Sequence, residues 1–180
     1  MRVSQARLTT ASFEDLALPL FDQLYNFAHW LTQDRTEAED LVQETYAKAL
    51  RGFASFAAGT NFRAWMYRIL RNSFLSSRTG LKTMVVLEEE SADGLPAQNV
   101  TPEVLLLEKA DREMVQEALA GLAVQFREIL LLGEVEEMSY QEISETLAIP
   151  LGTVMSRLFR ARQALRTVLR AKIEGGHHGM

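Results

Sequence analysis

Apolar residues recur at three- and four-residue steps wherever glycine and proline leave this 180-residue chain uninterrupted. That period suits helices and does not suit strands, whose apolar face repeats every second residue. In "LALPLFDQLYNFAHWLTQ", Leu20, Phe21, Leu24, Phe27, Ala28 and Leu31 would line one helix face. "TQDRTEAEDLVQETYAKALRGF" continues the pattern. Thr36 and Glu39 have the spacing of a capping box, and the helix is expected to run to about Leu50 and stop near Gly52. "FASFAAGT" reads as a loop, and "NFRAWMYRILRNSFLSSR" as a third helix rich in aromatics and arginine. There is no strand-turn-strand signal and no repeat. The fold class expected is all-α.

The period fails once, from about Thr79 to Thr101. Gly80, Gly94, Pro96 and Pro102 fall there or at its end, with three consecutive glutamates at 88–90. This reads as an interdomain linker. Its "MVVL" is open to two readings, a short strand or a segment that docks in a groove. Helical pattern resumes at Pro102, a residue suited to a first helical turn. The architecture expected is therefore two small helical domains, 12–79 and 105–172, joined by a flexible acidic linker, 80–104, with a disordered tail at 173–180.

Composition narrows the function classes. The absence of cysteine excludes a disulfide scaffold and a thiolate zinc site, and suits a reducing, cytoplasmic setting. No apolar run approaches the roughly 18–20 residues of a membrane span, and the first twenty residues lack the apolar core of a signal peptide. The expectation is a soluble protein without membrane insertion. The histidines are His29, His177 and His178. With no phosphate-binding loop, nucleophile elbow or ligand cluster beside them, no catalytic residue, metal or cofactor is expected, and the chain is not read as an enzyme. The adjacent histidines near the end lack the further ligands a metal needs.

Net charge is −5, which by itself argues against a nucleic-acid partner. The charges are segregated, however. Residues 133–145 carry five acids and no base, whereas 151–172 carry six bases and no acid. Binding responds to charge within a Debye length of about 8–10 Å, so the local segment matters more than the total. That segment follows a stop and restart. Ser139 and Glu142 form a capping box, Ile143 and Leu147 give a short helix one apolar face, and Ile149-Pro150 ends it. A second helix starts near Gly152 or Thr153, with Val154, Leu158, Ala161 and Leu165 inward. A short helix, a tight turn and a second helix make a helix-turn-helix, whose second helix presents its N-terminal half to the DNA major groove. Gly152, Thr153, Met155, Ser156, Arg157 and Arg160 are the candidates for duplex contact. Arg162, Arg166 and Arg170 extend the charge toward phosphates.

At these residues the chain resembles a known family. "EEMSYQEISETLAIPLGTVMSRLFRARQAL" is similar to the C-terminal domain of bacterial RNA polymerase sigma factors of the extracytoplasmic-function group. "EAEDLVQETYAKAL" resembles that family's polymerase-binding helix, and "FRAWMYRILRN" its promoter-melting helix. The resemblance covers about residues 12–170, in family order. It implies an N-terminal domain that binds core RNA polymerase, at the clamp helices of the largest subunit, and melts the promoter −10 element. It implies a C-terminal domain that reads the −35 element as duplex and meets the flap of the second-largest subunit. An anti-sigma factor is the implied regulator, and the acidic linker would thread toward the RNA exit path.

Residue by residue, the resemblance assigns polymerase binding to Asp40, Gln43, Glu44 and Lys48. It assigns the −10 element to Phe56, Thr60, Asn61, Phe62, Arg63, Trp65, Arg68, Arg71 and Asn72, with the loop from Phe56 to Asn61 holding a flipped base. Trp65, Tyr67, Phe62 and Phe74 have core packing as their ordinary alternative. Two positions depart from the family pattern. Met155 stands where lysine is common, and Ser76 stands where an aspartate is usual. The competing reading is an autonomous helix-turn-helix regulator that binds duplex without polymerase.

Overall fold

The computed structural model describes residues 13–56, 59–79 and 112–176. The linker at 80–104, its "MVVL", the expected helix start at Pro102, the domain boundary at 105 and residues 177–180 of the tail lie outside the described residues. Those described contain helices and no strand. The chain divides into two compact units, the first holding residues 13–79 and the second the bulk of 112–176.

In the first unit a 3₁₀ turn, Leu18–Leu20, leads into α1, Phe21–Thr32, which is followed by α2, Arg35–Gly52. A second 3₁₀ turn, Phe53–Ser55, and a loop precede α3, Phe62–Thr79. The core forms where the three apolar faces meet. Leu24, Phe27, Ala28 and Leu31 come from α1, Leu41, Val42 and Ala49 from α2, and Met66, Tyr67, Leu70 and Phe74 from α3. Phe27 meets the edge of Tyr67 at 5.1 Å between centroids. Tyr67 and Phe74 are therefore core residues. Phe21 is not, although its spacing placed it inward. It opens α1, exposed, with its ring against Tyr46 at 5.8 Å.

The start of α2 differs from the expected Thr36 cap. Asp34 is the N-cap, its carboxylate accepting the Glu37 amide at 2.9 Å. Thr36 lies two residues past the cap, inside the helix, where the Ala38 amide is already taken by the Asp34 carbonyl at 3.0 Å, and Glu39 instead pairs with Arg35 at 3.2 Å. The Tyr46 hydroxyl donates to the Ala17 carbonyl at 2.6 Å, tying the residues ahead of α1 onto α2.

The second unit contains α4, Arg112–Ala120, and α5, Val124–Leu130. α5 continues into a π-helical turn at Leu131–Val135, then come α6, Tyr140–Leu147, and α7, Leu151–Gly176. Ile129, Leu132, Ile143, Val154, Leu158, Ala161, Leu165 and Leu169 are buried. The π turn carries Gly133 close to α7. A Cβ there would stand 3.3 Å from a Leu158 methyl and 3.6 Å from Ile143 Cδ1. Buried Arg127 closes the end of α4 by donating to the carbonyls of Leu119, Ala120 and Leu122 at 2.9–3.2 Å. Helix α7 overruns the tail expected from 173, continuing to Gly176. Leu169 is buried and Lys172 pairs with Glu117 at 2.8 Å, so the helix is anchored to its last turns.

Candidate nucleic-acid interface

The helix-turn-helix forms as its sequence demands. Both halves of the capping box are present: the Ser139 hydroxyl accepts the Glu142 amide at 3.1 Å, and the Glu142 carboxylate accepts the Ser139 amide at 2.8 Å. Ala148 closes α6 in the left-handed region, at φ 54°. The Ser144 hydroxyl donates to the Ile149 carbonyl at 2.6 Å, holding the turn. The Pro150 carbonyl then accepts the Val154 amide at 3.1 Å and opens α7.

Along α7 the candidates separate. Gly152 and Met155 are exposed, and Thr153 and Arg160 are half-buried. Ser156 and Arg157 are buried, at 6% and 4% exposure, which corrects the reading of both as outward. The Ser156 hydroxyl folds back on the helix, donating to the Thr153 carbonyl at 3.2 Å. Arg157 lies three residues after Val154 and four before Ala161, so the helical period sets it on the margin of the buried face. Its Nε and Nη1 have no hydrogen-bond partner. Arg162 is also committed internally. Its Nε and Nη2 meet one Glu134 oxygen at 2.8 and 2.6 Å. Burial works against its charge, but the Glu134 bond and charge, with a contribution from Tyr140, raise its pKa. Arg162 therefore binds α7 to the π turn, where the sequence pointed it at phosphate.

Leu151 and Phe159 were not singled out from the sequence, yet both are exposed, at 41% and 39%, with Met155 between them at 37%. The spacing of four residues was the available signal. Spacing alone does not show whether an apolar row faces the core or solvent, which is decided by how α7 packs.

In the first unit, Phe13, Phe53, Phe56, Phe62 and Trp65 form one connected ring cluster. Phe56 lies 5.4 Å from Phe62 and 5.0 Å from Trp65, and Phe13 5.2 Å from Phe53. Phe53, Phe56, Phe62 and Trp65 are half-buried, neither core nor free. Exposed Gly59 and Thr60 lie beside them, and Gly59 needs its φ of 91°. Asn61 has a local duty, its side-chain oxygen accepting the Ala64 amide at 3.0 Å at the start of α3. Arg63 lies over the Tyr67 ring at 5.6 Å and is half-buried. Arg68 and Asn72 are exposed, and Arg71 is half-buried.

Asp40, Gln43 and Glu44 stand exposed on α2. Lys48 is turned inward to α3, 2.7 Å from Glu44 and 3.0 Å from the Ser73 hydroxyl, so its charge is largely answered. Between α2 and α3 lies a groove of about 530 Å³, floored by Leu41 and Phe74 and rimmed by Glu37, Asp40, Glu44 and Arg78. Arg78 crosses to Glu37 at 2.9 Å and covers the Phe74 ring at 5.1 Å. The sequence did not reveal this groove, because its walls come from segments some forty residues apart. Among the described residues no His/Cys/Asp/Glu group fit to hold a metal is found, and no helix is long and apolar enough to cross a membrane.

Two helical units, the first with a half-exposed aromatic cluster and the second with a helix-turn-helix, define the class of protein. Comparison with known proteins specifies it further. Residues 19–82 match the model of sigma-70 region 2, and residues 112–165 that of sigma-70 region 4. The chain is 33% identical over 157 residues to the RNA polymerase sigma factor YlaC of Bacillus subtilis, covering 86% of this chain and 90% of that protein. It is 37% identical over 160 residues to the ECF RNA polymerase sigma factor SigE of Mycolicibacterium smegmatis, covering 88% of this chain and 62% of that longer relative. Among solved structures, the sigma factor RpoE of Bartonella quintana in complex with the anti-sigma factor NepR is similar. It has a TM-score of 0.67 and 31% identity, covering 88% of this chain and 97% of that one. The chain belongs to the ECF family of RNA polymerase sigma factors.

Proposed function

We propose that this chain binds core RNA polymerase and directs promoter-specific initiation, with no catalysis of its own. In this reading α7 enters the major groove of the −35 element, with Gly152, Thr153, Met155 and Arg160 at the contact. The helix N-terminus favours nearby phosphate. Ser156 and Arg157 would touch DNA only if uncovered on binding. The aromatic cluster and its loop receive bases of the melted −10 element, since stacking on aromatics supplies about 1–3 kcal/mol per base. Arg63, Arg68, Arg71 and Asn72 supply backbone contacts. Asp40, Gln43 and Glu44 meet a basic face of the polymerase. The observation that carries the proposal is the joint presence, in one chain, of a capped helix-turn-helix and a half-exposed aromatic cluster. An autonomous duplex-binding regulator has no use for the second. Regulation by an anti-sigma factor is supported by the similar sigma factor bound to NepR. A cytoplasmic location follows from the proposed partner.

Run-off transcription tests the proposal. Purified core polymerase is supplied with a pool of promoter fragments, with and without the chain. Sequence-specific transcripts that appear only with the chain are expected. No transcripts, together with duplex binding by the chain alone, would favour the autonomous regulator.

A further inference from the structure

One face of α7 changes chemistry halfway along. Leu151, Met155 and Phe159 follow one another at four-residue steps, and all three are exposed. The same row continues through Arg162, which Glu134 holds, and half-buried Arg166 to exposed Arg170. Three large apolar side chains on one helix row, each about two-fifths exposed, leave a continuous apolar strip in water, and each forgoes part of its burial. Nothing in the fold of the second unit requires them there: the buried row of α7 is Val154, Leu158, Ala161, Leu165 and Leu169.

Resting on the reading of α7 as the groove-entering helix, we infer that Leu151, Met155 and Phe159 recognise the C5-methyl groups of thymines in the −35 duplex. The thymine methyl is the one apolar group a base pair shows in the major groove, and apolar side chains are its natural partners. Residues four apart on a helix are separated by about 6 Å along its axis. That is close to two base-pair steps of about 3.4 Å each. The row can thus meet methyl groups at successive alternate steps. Its continuation distinguishes DNA from a protein helix as the occupant. Residues 151–172 carry no acid, and the row ends in Arg170, which is exposed. A ligand with apolar points inside an anionic frame fits that sequence of groups. The positive helix N-terminus beside Leu151 adds to the same field.

The test uses the full chain. Duplexes are selected from a random library by the chain together with core polymerase. The selected element is then resynthesised with deoxyuridine replacing thymine at one position at a time, and binding is followed by fluorescence anisotropy. Uracil keeps every hydrogen-bonding group of thymine and lacks only the methyl. At two or three positions the replacement is expected to weaken binding about threefold to fourfold, as losing one buried methyl-sized group does. Met155→Ala and Phe159→Ala, exposed positions whose truncation leaves the core intact, should each abolish the penalty at one position. Leu151→Ala should do so at a third where three are found. If no duplex is selected, the reading of α7 as a recognition helix falls and the inference with it. If duplexes are selected but uracil binds as well as thymine throughout, the inference alone falls. If the penalties survive in all three variants, the inference also falls, and the row is a protein-docking face.

Discussion

Arg127 and Tyr46 show how much a single polar group holds together here. The Arg127 guanidinium donates to the Leu119, Ala120 and Leu122 carbonyls around the end of α4, where the Leu119 carbonyl also accepts the Leu122 amide at 3.1 Å. Arg127→Met keeps most of the side chain's bulk and takes the guanidinium donors from the Ala120 and Leu122 carbonyls, at about 1–3 kcal/mol for each buried group not rescued by water. A loss of about 3 kcal/mol in denaturant unfolding is expected, and a loss below about 1 kcal/mol would show that water replaces the guanidinium. Tyr46 has its pKa raised to about 12, first by burial and then by the nearby Asp22 charge. Folding therefore favours the neutral phenol. Its stabilisation is complete below the unfolded pKa of about 10 and is lost as pH rises from there through about 12. Thermal melts between pH 9 and 12 should fall, and Tyr46→Phe should be less stable at neutral pH but flatter across that window. At this scale the sequence was a partial guide. It identified α7 arginines by type, but a residue type does not reveal its partner. Glu134 claims Arg162, and the helical period carries Arg157 to the margin of the buried face.

At the scale of elements, the helices were legible because their signals are local. Ser139 and Glu142 announced α6 correctly, since no other residue nearby competes for the same amides. At α2 two pairs share the required spacing, Asp34 with Glu37 and Thr36 with Glu39, and the earlier acid takes the cap. Asp34→Ala should cost about 1 kcal/mol, whereas Thr36→Ala, inside the helix and exposed, should be nearly neutral. Equal effects in denaturant unfolding would refute that assignment. The π turn was not legible. Its extra residue registers as a break in period only when the partner helix is known, and that partner is α7. Gly133 leaves 3.3 Å between its would-be Cβ and a Leu158 methyl, so Gly133→Val requires the Leu158 side chain to give by a few tenths of an ångström and presses its two added methyls toward the second helix of the helix-turn-helix. A loss of about 1–3 kcal/mol is expected from overpacking. Duplex binding should weaken alongside it at temperatures where the chain remains folded. Unaltered binding in a destabilised variant would show that α7 keeps its place and that the π turn alone adjusts.

Across the whole molecule, the net charge of −5 conceals local concentrations of each sign. Acids gather on the exposed side of α2, where Asp40 and Glu44 rim a groove with an apolar floor. Bases gather on α7, though two of them, Arg157 and Arg162, are withdrawn from the surface. The proposed partners then separate by sign. Reversing Asp40 and Glu44 to lysine should weaken binding to core polymerase at least tenfold, roughly 1.4 kcal/mol, and leave affinity for an isolated −35 duplex nearly unchanged. Arg170→Ala should do the opposite. Because each phosphate contact releases condensed counterions, loss of one should lower the slope of log K against log salt by about one. The two variants measured side by side, by core-binding titration and by duplex anisotropy over a salt series, make a crossed test. Each is expected to affect one assay and spare the other. If both variants reduced both affinities, charge would act through the fold as a whole, and the assignment of polymerase to the acidic face of α2 and of the −35 duplex to α7 would have to be abandoned.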